Sequence, residues 1–259
     1  MEAHFLEACV NLEQIKAAQQ LLAPVMRRTP VVASRVLSET TGFAVSLKCE
    51  NLQRTGSFKP RGAYNRIANL SAEERAAGVV AASAGNHAQG VAWSATELGI
   101  KSTVFMPTGA PLPKLVATKA YGAQVHLHGS TVDEALVAAR EFADRTGAVL
   151  VHPFDHEDVV AGQGTVGLEI LEQLPEVGTI LVPTGGGGLI AGVAAAVKAV
   201  RPQVRIVGVQ AETAAAWRRR WPPGSRPHWR RCPRWQTVSP WAALARFPSP
   251  RSPRMSTRW

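Results

Sequence analysis

Gly78-Val79-Val80-Ala81-Ala82-Ser83-Ala84-Gly85-Asn86-His87-Ala88-Gln89-Gly90 is the stretch that decides the fold. Its first five residues form a short apolar run, the mark of a buried strand. Its second half opens a helical pattern over 86–98. Small residues join the two, so the chain passes from strand to helix in a tight loop.

The same alternation extends outward on both sides. Strands are expected at 43–48, 78–82, 103–106, 124–127, 148–151, 179–182 and 204–209. Helical stretches are expected at 5–26, 58–69, 86–98, 111–121, 131–146, 160–174 and 187–200. The first carries Leu6, Cys9, Val10, Leu12, Ile15, Ala18 and Leu21 on one apolar face. Ser71 with Glu74, and Thr131 with Glu134, have the capping-box spacing. Gly147 stands where a helix-ending glycine belongs. Repeated strand–helix units predict an α/β protein with parallel sheets covered by helices.

Composition narrows the class. A chain of 259 residues can bury one large core or two modest ones. No apolar run approaches the roughly 18 residues of a membrane span. Met1-Glu2-Ala3-His4-Phe5 lacks the basic and apolar start of a secretory signal. Cys9, Cys49 and Cys232 are odd in number and have no metal-ligand spacing. They fit a reduced cytoplasm rather than a disulfide framework. These features argue against an extracellular, a membrane or a small disulfide-stapled protein.

The net charge of +10 is unevenly placed. Residues 214–259 hold 11 Arg and no Lys, Asp or Glu. The first 213 residues therefore carry 18 basic against 19 acidic side chains, a net charge of −1. Such a body has no general polyanion-binding face, and no nucleic-acid partner is expected. The tail holds six of the seven Trp and eight of the 18 Pro, and lacks Ile, Asn, Tyr, Lys, Asp and Glu. It shows no helical or strand period and is expected to be disordered. Its bias toward residues with GC-rich codons points to out-of-frame translation beginning near residue 214. The division expected is 1–213 as the catalytic region and 214–259 as a non-homologous tail.

Three loops carry chemistry. Lys59, in GSFKPRGA (56–63), stands at the start of a helix. The positive end of the helix dipole disfavours its charged form, and an easily deprotonated amine suits a Schiff base with an aldehyde cofactor. A solvated surface lysine is the plainer alternative. SAGNHAQG (83–90) follows a strand and opens a helix, so its backbone N–H groups can hold an anion such as a substrate carboxylate. A simple Ser or Asn cap is the alternative there. PTGGGGL (183–189) places four glycines between a strand and a helix, where the backbone can curl around a phosphate. It has neither the lysine of a nucleotide-binding P-loop nor the acid of a dinucleotide fingerprint. Phosphate cradle, anion loop and poised lysine together describe a pyridoxal-phosphate enzyme.

The chain resembles the fold-type II pyridoxal-phosphate enzymes, which share the fold of the tryptophan synthase β subunit. It is most similar to the threonine/serine ammonia-lyases (threonine dehydratases). GSFKPRGA (56–63), SAGNHAQG (83–90), FDHEDVVAGQGT (154–165) and PTGGGGLIAG (183–192) carry the likeness, which runs from about residue 12 to 213. The resemblance implies that Lys59 is the catalytic lysine bonded to pyridoxal 5'-phosphate, with Phe58 beside the ring. It implies that Asn86 contacts the cofactor's phenolic oxygen, and that Gly185, Gly186, Gly187, Gly188 and Leu189 bind its phosphate. Ser83, Ala84, Gly85, Asn86 and His87 would bind the substrate carboxylate. A small domain of about 50–150 would be inserted in a large domain whose C-terminal part is incomplete.

The implied reaction is the α,β-elimination of a β-hydroxy amino acid. Threonine would give 2-oxobutanoate and ammonia, as in isoleucine biosynthesis, and serine would give pyruvate. Serine racemases of the family place a second serine where this chain has Ala84, which favours elimination. Serine or hydroxyaspartate dehydratase is the alternative, as is a non-catalytic fragment. Glu212 lies where some members begin a cation site, but no metal is assigned. The family partner of the pyridine nitrogen, carried in a Ser/Gly-rich motif, has no counterpart in 214–259. The chain as written is therefore expected to fold poorly or to be inactive. A homo-oligomer is implied by the family, an expectation that the truncation weakens.

Overall fold

A computed structural model describes residues 10–212 and the strand at 242–245. The disorder expected over the rest of the tail, and the part of the expected first helix with Leu6 and Cys9, lie outside the described residues. Helix α1 (Leu12–Leu22) starts at Asn11, whose side chain accepts from the Gln14 amide while Gln14 caps back. Ile15, Ala18 and Leu22 are buried, so the inward stripe takes Leu22 where the sequence suggested Leu21.

An antiparallel ribbon follows, β1 (Val31–Ala33) with β2 (Ser46–Lys48), enclosing α2 (Arg35–Thr41). The sequence pattern shows only β2. Strand β1 has three residues, and α2 buries none, so neither offers a period to detect. Two short 3₁₀ turns, Glu50–Leu52 and Arg54–Gly56, lead into α3 (Lys59–Ala68). Helix α4 (Ala72–Ala77) starts at the expected Ser71–Glu74 box, closed in both directions.

The central sheet is built from β3 (Val79–Ala82), β4 (Ser102–Met106), β5 (Gln124–Leu127) and β6 (Val149–Leu150). Its order is β5-β4-β3-β6 and every pair is parallel. The connections run through α5 (Asn86–Glu97), α6 (Leu112–Ala120) and α7 (Val132–Thr146). Thr131 caps α7 by accepting from the Glu134 amide, but the Glu134 carboxylate turns to the Ser130 amide instead of closing the box. Gly147 ends α7 at φ 76°, as expected. Strand β3 is buried on both sides. Val79 and Ala81 pack with Ile67, Val91 and Ala95, whereas Val80 and Ala82 pack with Ala135, Ala138 and Ala139. Helices thus cover both faces of a parallel sheet.

A second parallel sheet joins β7 (Thr179–Pro183), β8 (Arg205–Val209) and β9 (Ala242–Ala245) in that order. Helices α8 (Glu157–Gln173) and α9 (Gly188–Val200) belong to this half. Its core gathers Val166, Ile170, Ile180, Ile190, Val193 and Ile206. Strand β9 falls in the tail, where Ala-Ala-Leu-Ala has no alternation to announce it. Among the described residues no helix is long and apolar enough to cross a membrane.

Two features of this fold position a site. From β3 the chain moves out to β4 and β5, then returns to β6 on the other side of β3. The loops after β3 and β6 therefore flank a topological switch point, where open α/β sheets bind ligands. Helix α8 also lies very close to both α3 and α9. A Cβ on Gly162 would stand 2.4 Å from the Arg61 carbonyl oxygen, and one on Gly192 2.3 Å from that of Val160. Only glycine permits these crossings, and they fix the start of α3 relative to the start of α9.

Candidate active site

Lys59 is the first residue of α3, with Pro60 behind it, a placement that costs the helix no hydrogen bond. Its side chain is half-buried and crosses to the loop after β6, where Nζ donates to the Pro153 carbonyl oxygen at 2.6 Å. The Phe58 ring lies 5.3 Å from the same nitrogen. Burial lowers the amine pKa from 10.5 to about 8. Desolvation, rather than the helix dipole expected from the sequence, is the cause.

The segment before Lys59 is unusually fixed. Thr55 has φ 59°, a left-handed conformation rare for a β-branched residue and costing on the order of 1–3 kcal/mol. Buried Gln53 holds this turn. Its Oε1 accepts from the Arg27 and Arg54 amides at 3.0 and 2.9 Å, and its Nε2 donates to the Arg27 carbonyl at 2.7 Å. Past Lys59, Arg61 is 1% exposed. Its guanidinium donates to Glu50 at 2.9 Å and to Glu169 of α8 at 2.6 and 3.0 Å. Lys48 joins through Glu169 and, at 2.8 Å, through Gln173. Burial pulls Arg61 down, but its bonds to the two glutamates outweigh this and raise its pKa. Lys48 is lowered, because for it burial prevails over Glu169. Lys59 is thus pinned from both sides.

The loop Ser83–Gly85 leaves β3 at the switch point. Ser83 Oγ accepts from the Gly85 amide at 3.1 Å. Gly85 is the N-cap of α5 with no side-chain cap, so the simple Ser or Asn cap is not what is found. Asn86 instead receives a hydrogen bond from Lys114 Nζ on its Oδ1, at 2.9 Å. His87 turns inward, 4% exposed, with Nε2 2.8 Å from the Val151 carbonyl oxygen. Burial first, and the charge of Lys59 second, push its pKa down to about 3. A neutral ring beside a carbonyl donates, so only the His87 backbone faces the loop. This loop stands close to the lysine. A Cβ on Gly90, one turn past Asn86, would lie 3.2 Å from Lys59.

The glycine loop follows β7. Gly187 has φ 100° and is the N-cap of α9, leaving the backbone N–H groups of Gly188, Leu189 and Ile190 at the helix start. The loop rests on Phe154. A Cβ on Gly186 would meet its ring at 2.3 Å, and one on Gly188 its Cβ at 2.9 Å. A Cβ on Gly185 would meet nothing within 4 Å. The Leu189 side chain packs into the core, so only its backbone belongs to the loop. Pro153 and Phe154 are consecutive, so the lysine amine and the glycine loop meet across one dipeptide. His152 shapes that turn by accepting from the Asp155 amide at 2.9 Å. Burial, followed by the charges of Arg140 and Lys59, lowers His152 to about 4.

The structure therefore gathers all three sequence motifs. It adds Lys114 and Pro153, and gives contacts to Arg61 and Phe154, which the sequence motifs contain without a role. Arg61 had a detectable signal, three residues before Tyr64 on an otherwise buried face.

These residues fit pyridoxal phosphate. The amine can engage an aldehyde, and the helix N-terminus with its open glycine, Gly185, can take a phosphate. The buried Thr55 and Ser57 hydroxyls, which have no hydrogen-bond partner among the described residues, supply further polar atoms nearby. An α/β sheet with a poised lysine, a glycine cradle and an anion loop at its switch point defines a cofactor-dependent enzyme. Residues 22–239 match the family described as pyridoxal-phosphate dependent enzyme, and the chain belongs to that family. It is 58% identical over 203 residues to an L-threonine ammonia-lyase of Thermotoga maritima, covering 78% of this chain and 51% of that protein. Threonine deaminase isoform 2 of Solanum lycopersicum superposes with a TM-score of 0.74 at 43% identity, over 77% of this chain and 54% of that one. Maize serine racemase gives 0.75 at 41% identity, over 77% and 61%. The chain spans about half the length of the curated relatives it matches.

Proposed function

We propose that the chain is an ammonia-lyase acting on β-hydroxy amino acids, with L-threonine the preferred substrate and L-serine a second one. The observation that carries this is Lys59, an amine lowered to about 8 and held between the glycine loop and the Ser83–His87 loop. Pyridoxal phosphate, when bound, supplies the aldehyde and a ring that accepts electrons. Lys59 would hold that aldehyde until the substrate's amino group takes its place, and the freed amine, near-neutral in its pKa, would then take the α-proton. Phe58 would lie beside the ring. Backbone N–H groups of Gly185, Gly186, Gly187, Gly188 and Leu189 would hold the phosphate, and Asn86 would donate to the phenolic oxygen. The backbone at Ser83, Ala84, Gly85 and His87 orients the substrate carboxylate.

The likeness to a serine racemase raises the question of the second proton donor. Ala84 offers a methyl group, which cannot deliver a proton, and this supports elimination over racemisation. A small domain within about 50–150 belongs to the same reading, and the four-stranded sheet, 79–150, fits inside it. So do a cytoplasmic location, a role in isoleucine biosynthesis and self-assembly.

The test is release of 2-oxo acid and ammonia by the chain supplied with pyridoxal phosphate and L-threonine, L-serine or 3-hydroxyaspartate. The expected result is impaired threonine turnover, well below that of the Thermotoga relative, in line with the weak activity expected of the chain as written, and none in Lys59→Ala. Equal release by the variant, or preference for another substrate, would overturn the proposal.

A further inference from the structure

We propose that Lys114 is a positioning residue that fixes the Asn86 carboxamide with its nitrogen toward the cofactor's phenolic oxygen. The inference rests on the proposed function, within which Asn86 is a donor. A carboxamide has a donor end and an acceptor end, and rotation of about 180° exchanges them. An ammonium has donors only. Lys114 Nζ, 2.9 Å from Asn86 Oδ1, therefore accepts just one of the two orientations. The opposite one would set an NH2 group against an ammonium. With Oδ1 taken, Nδ2 is left to donate, and a phenolic oxygen needs a donor.

Three further observations separate this contact from a casual surface pair. Asn86 follows the N-cap Gly85 and makes no side-chain cap of α5, so local capping does not compete with Lys114 for its carboxamide. Lys114 sits in the first turn of α6, which has no acidic residue to balance the positive end of the helix. Helix formation alone disfavours a cation there, so the contact to Asn86 gives the placement a reason. The backbone at Lys114 is also fixed. Its carbonyl accepts from Thr118 Oγ1 at 2.8 Å, and Thr118 is fully buried. At the far end of the same helix pair, Thr96 Oγ1 of α5 donates to the Tyr121 carbonyl oxygen at 2.6 Å. The lysine thus projects from a helix tied to the one that carries Asn86.

The experiment is a double-mutant cycle on cofactor affinity, with the carboxamide resonances of Asn86 read by NMR in the cofactor-free chain. Lys114→Met should weaken pyridoxal phosphate binding about five- to tenfold, the loss of an oriented hydrogen bond. Lys114→Arg, which also donates only, should restore it. In an Asn86→Ala background Lys114→Met should have no further effect, because the two act as one unit. The Asn86 resonances should move in Lys114→Met and return in Lys114→Arg. Unmoved resonances, or an equal weakening in the Asn86→Ala background, would overturn the role of Lys114 alone. A wild-type chain that binds no cofactor would overturn the proposed function, and this inference with it.

Discussion

The burial that lowers Lys59 to about 8 makes its amine the reactive one at neutral pH. Relative to an ordinary lysine, its neutral fraction at pH 7.5 is on the order of a hundredfold higher. A trace acylating reagent, followed by peptide mapping, should therefore label Lys59 ahead of exposed Lys119. Slower labelling of Lys59 would contradict the geometry. His87 and His152 make the opposite statement. Unfolded histidines titrate near 6.5, whereas these two do so at about 3 and about 4. Between those values the unfolded chain binds more protons, so acid favours unfolding. The melting temperature should fall as pH drops from about 6.5 toward 4, and His87→Gln, which can still donate to Val151, should flatten the fall. An unchanged slope in that variant would contradict it. Lys59, Asn86 and the glycines were legible as candidates because each sits in a run of consecutive residues at a predicted strand–helix junction. Pro153, Lys114 and Arg61 act through contacts made 94, 28 and 108 positions away, which no local window contains.

Among elements, α8 decides how the pieces of the site meet. Gly162→Ala would drive a methyl group into the Arg61 carbonyl, and backbone cannot rotate away. A loss of about 1–3 kcal/mol is expected, read as a lower melting temperature. Weakened cofactor binding should accompany it, because α3 carries Lys59. Arg61→Met is expected to cost more, about 3–5 kcal/mol in denaturant unfolding, since Glu50 would lose its ion-pair partner and Glu169 would keep only Lys48. A change below about 1 kcal/mol would show that the network tolerates water. The long helices and central strands were readable from period and caps. Strand β1 and helix α2 were not, because three residues and an unburied helix leave no pattern. The half-open box at Thr131 shows a related limit, since spacing cannot tell which amide the Glu134 carboxylate will choose.

For the whole molecule, the sequence conveyed the α/β class and parallel sheets through repeated strand–helix units. It could not convey the strand order β5-β4-β3-β6, which rests on pairings between distant segments. That order creates the switch point between the loops after β3 and β6, and so the place where Lys59, Asn86 and the glycine loop converge. The central claim is that this convergence is a pyridoxal phosphate site built on Lys59. The direct measurement is the visible absorption of the purified chain with pyridoxal phosphate, followed by borohydride reduction and peptide mapping. A protein-bound absorption band, with the reduced label on Lys59 and absent in Lys59→Ala, is the predicted result. No band, or a label scattered over surface lysines, would contradict it.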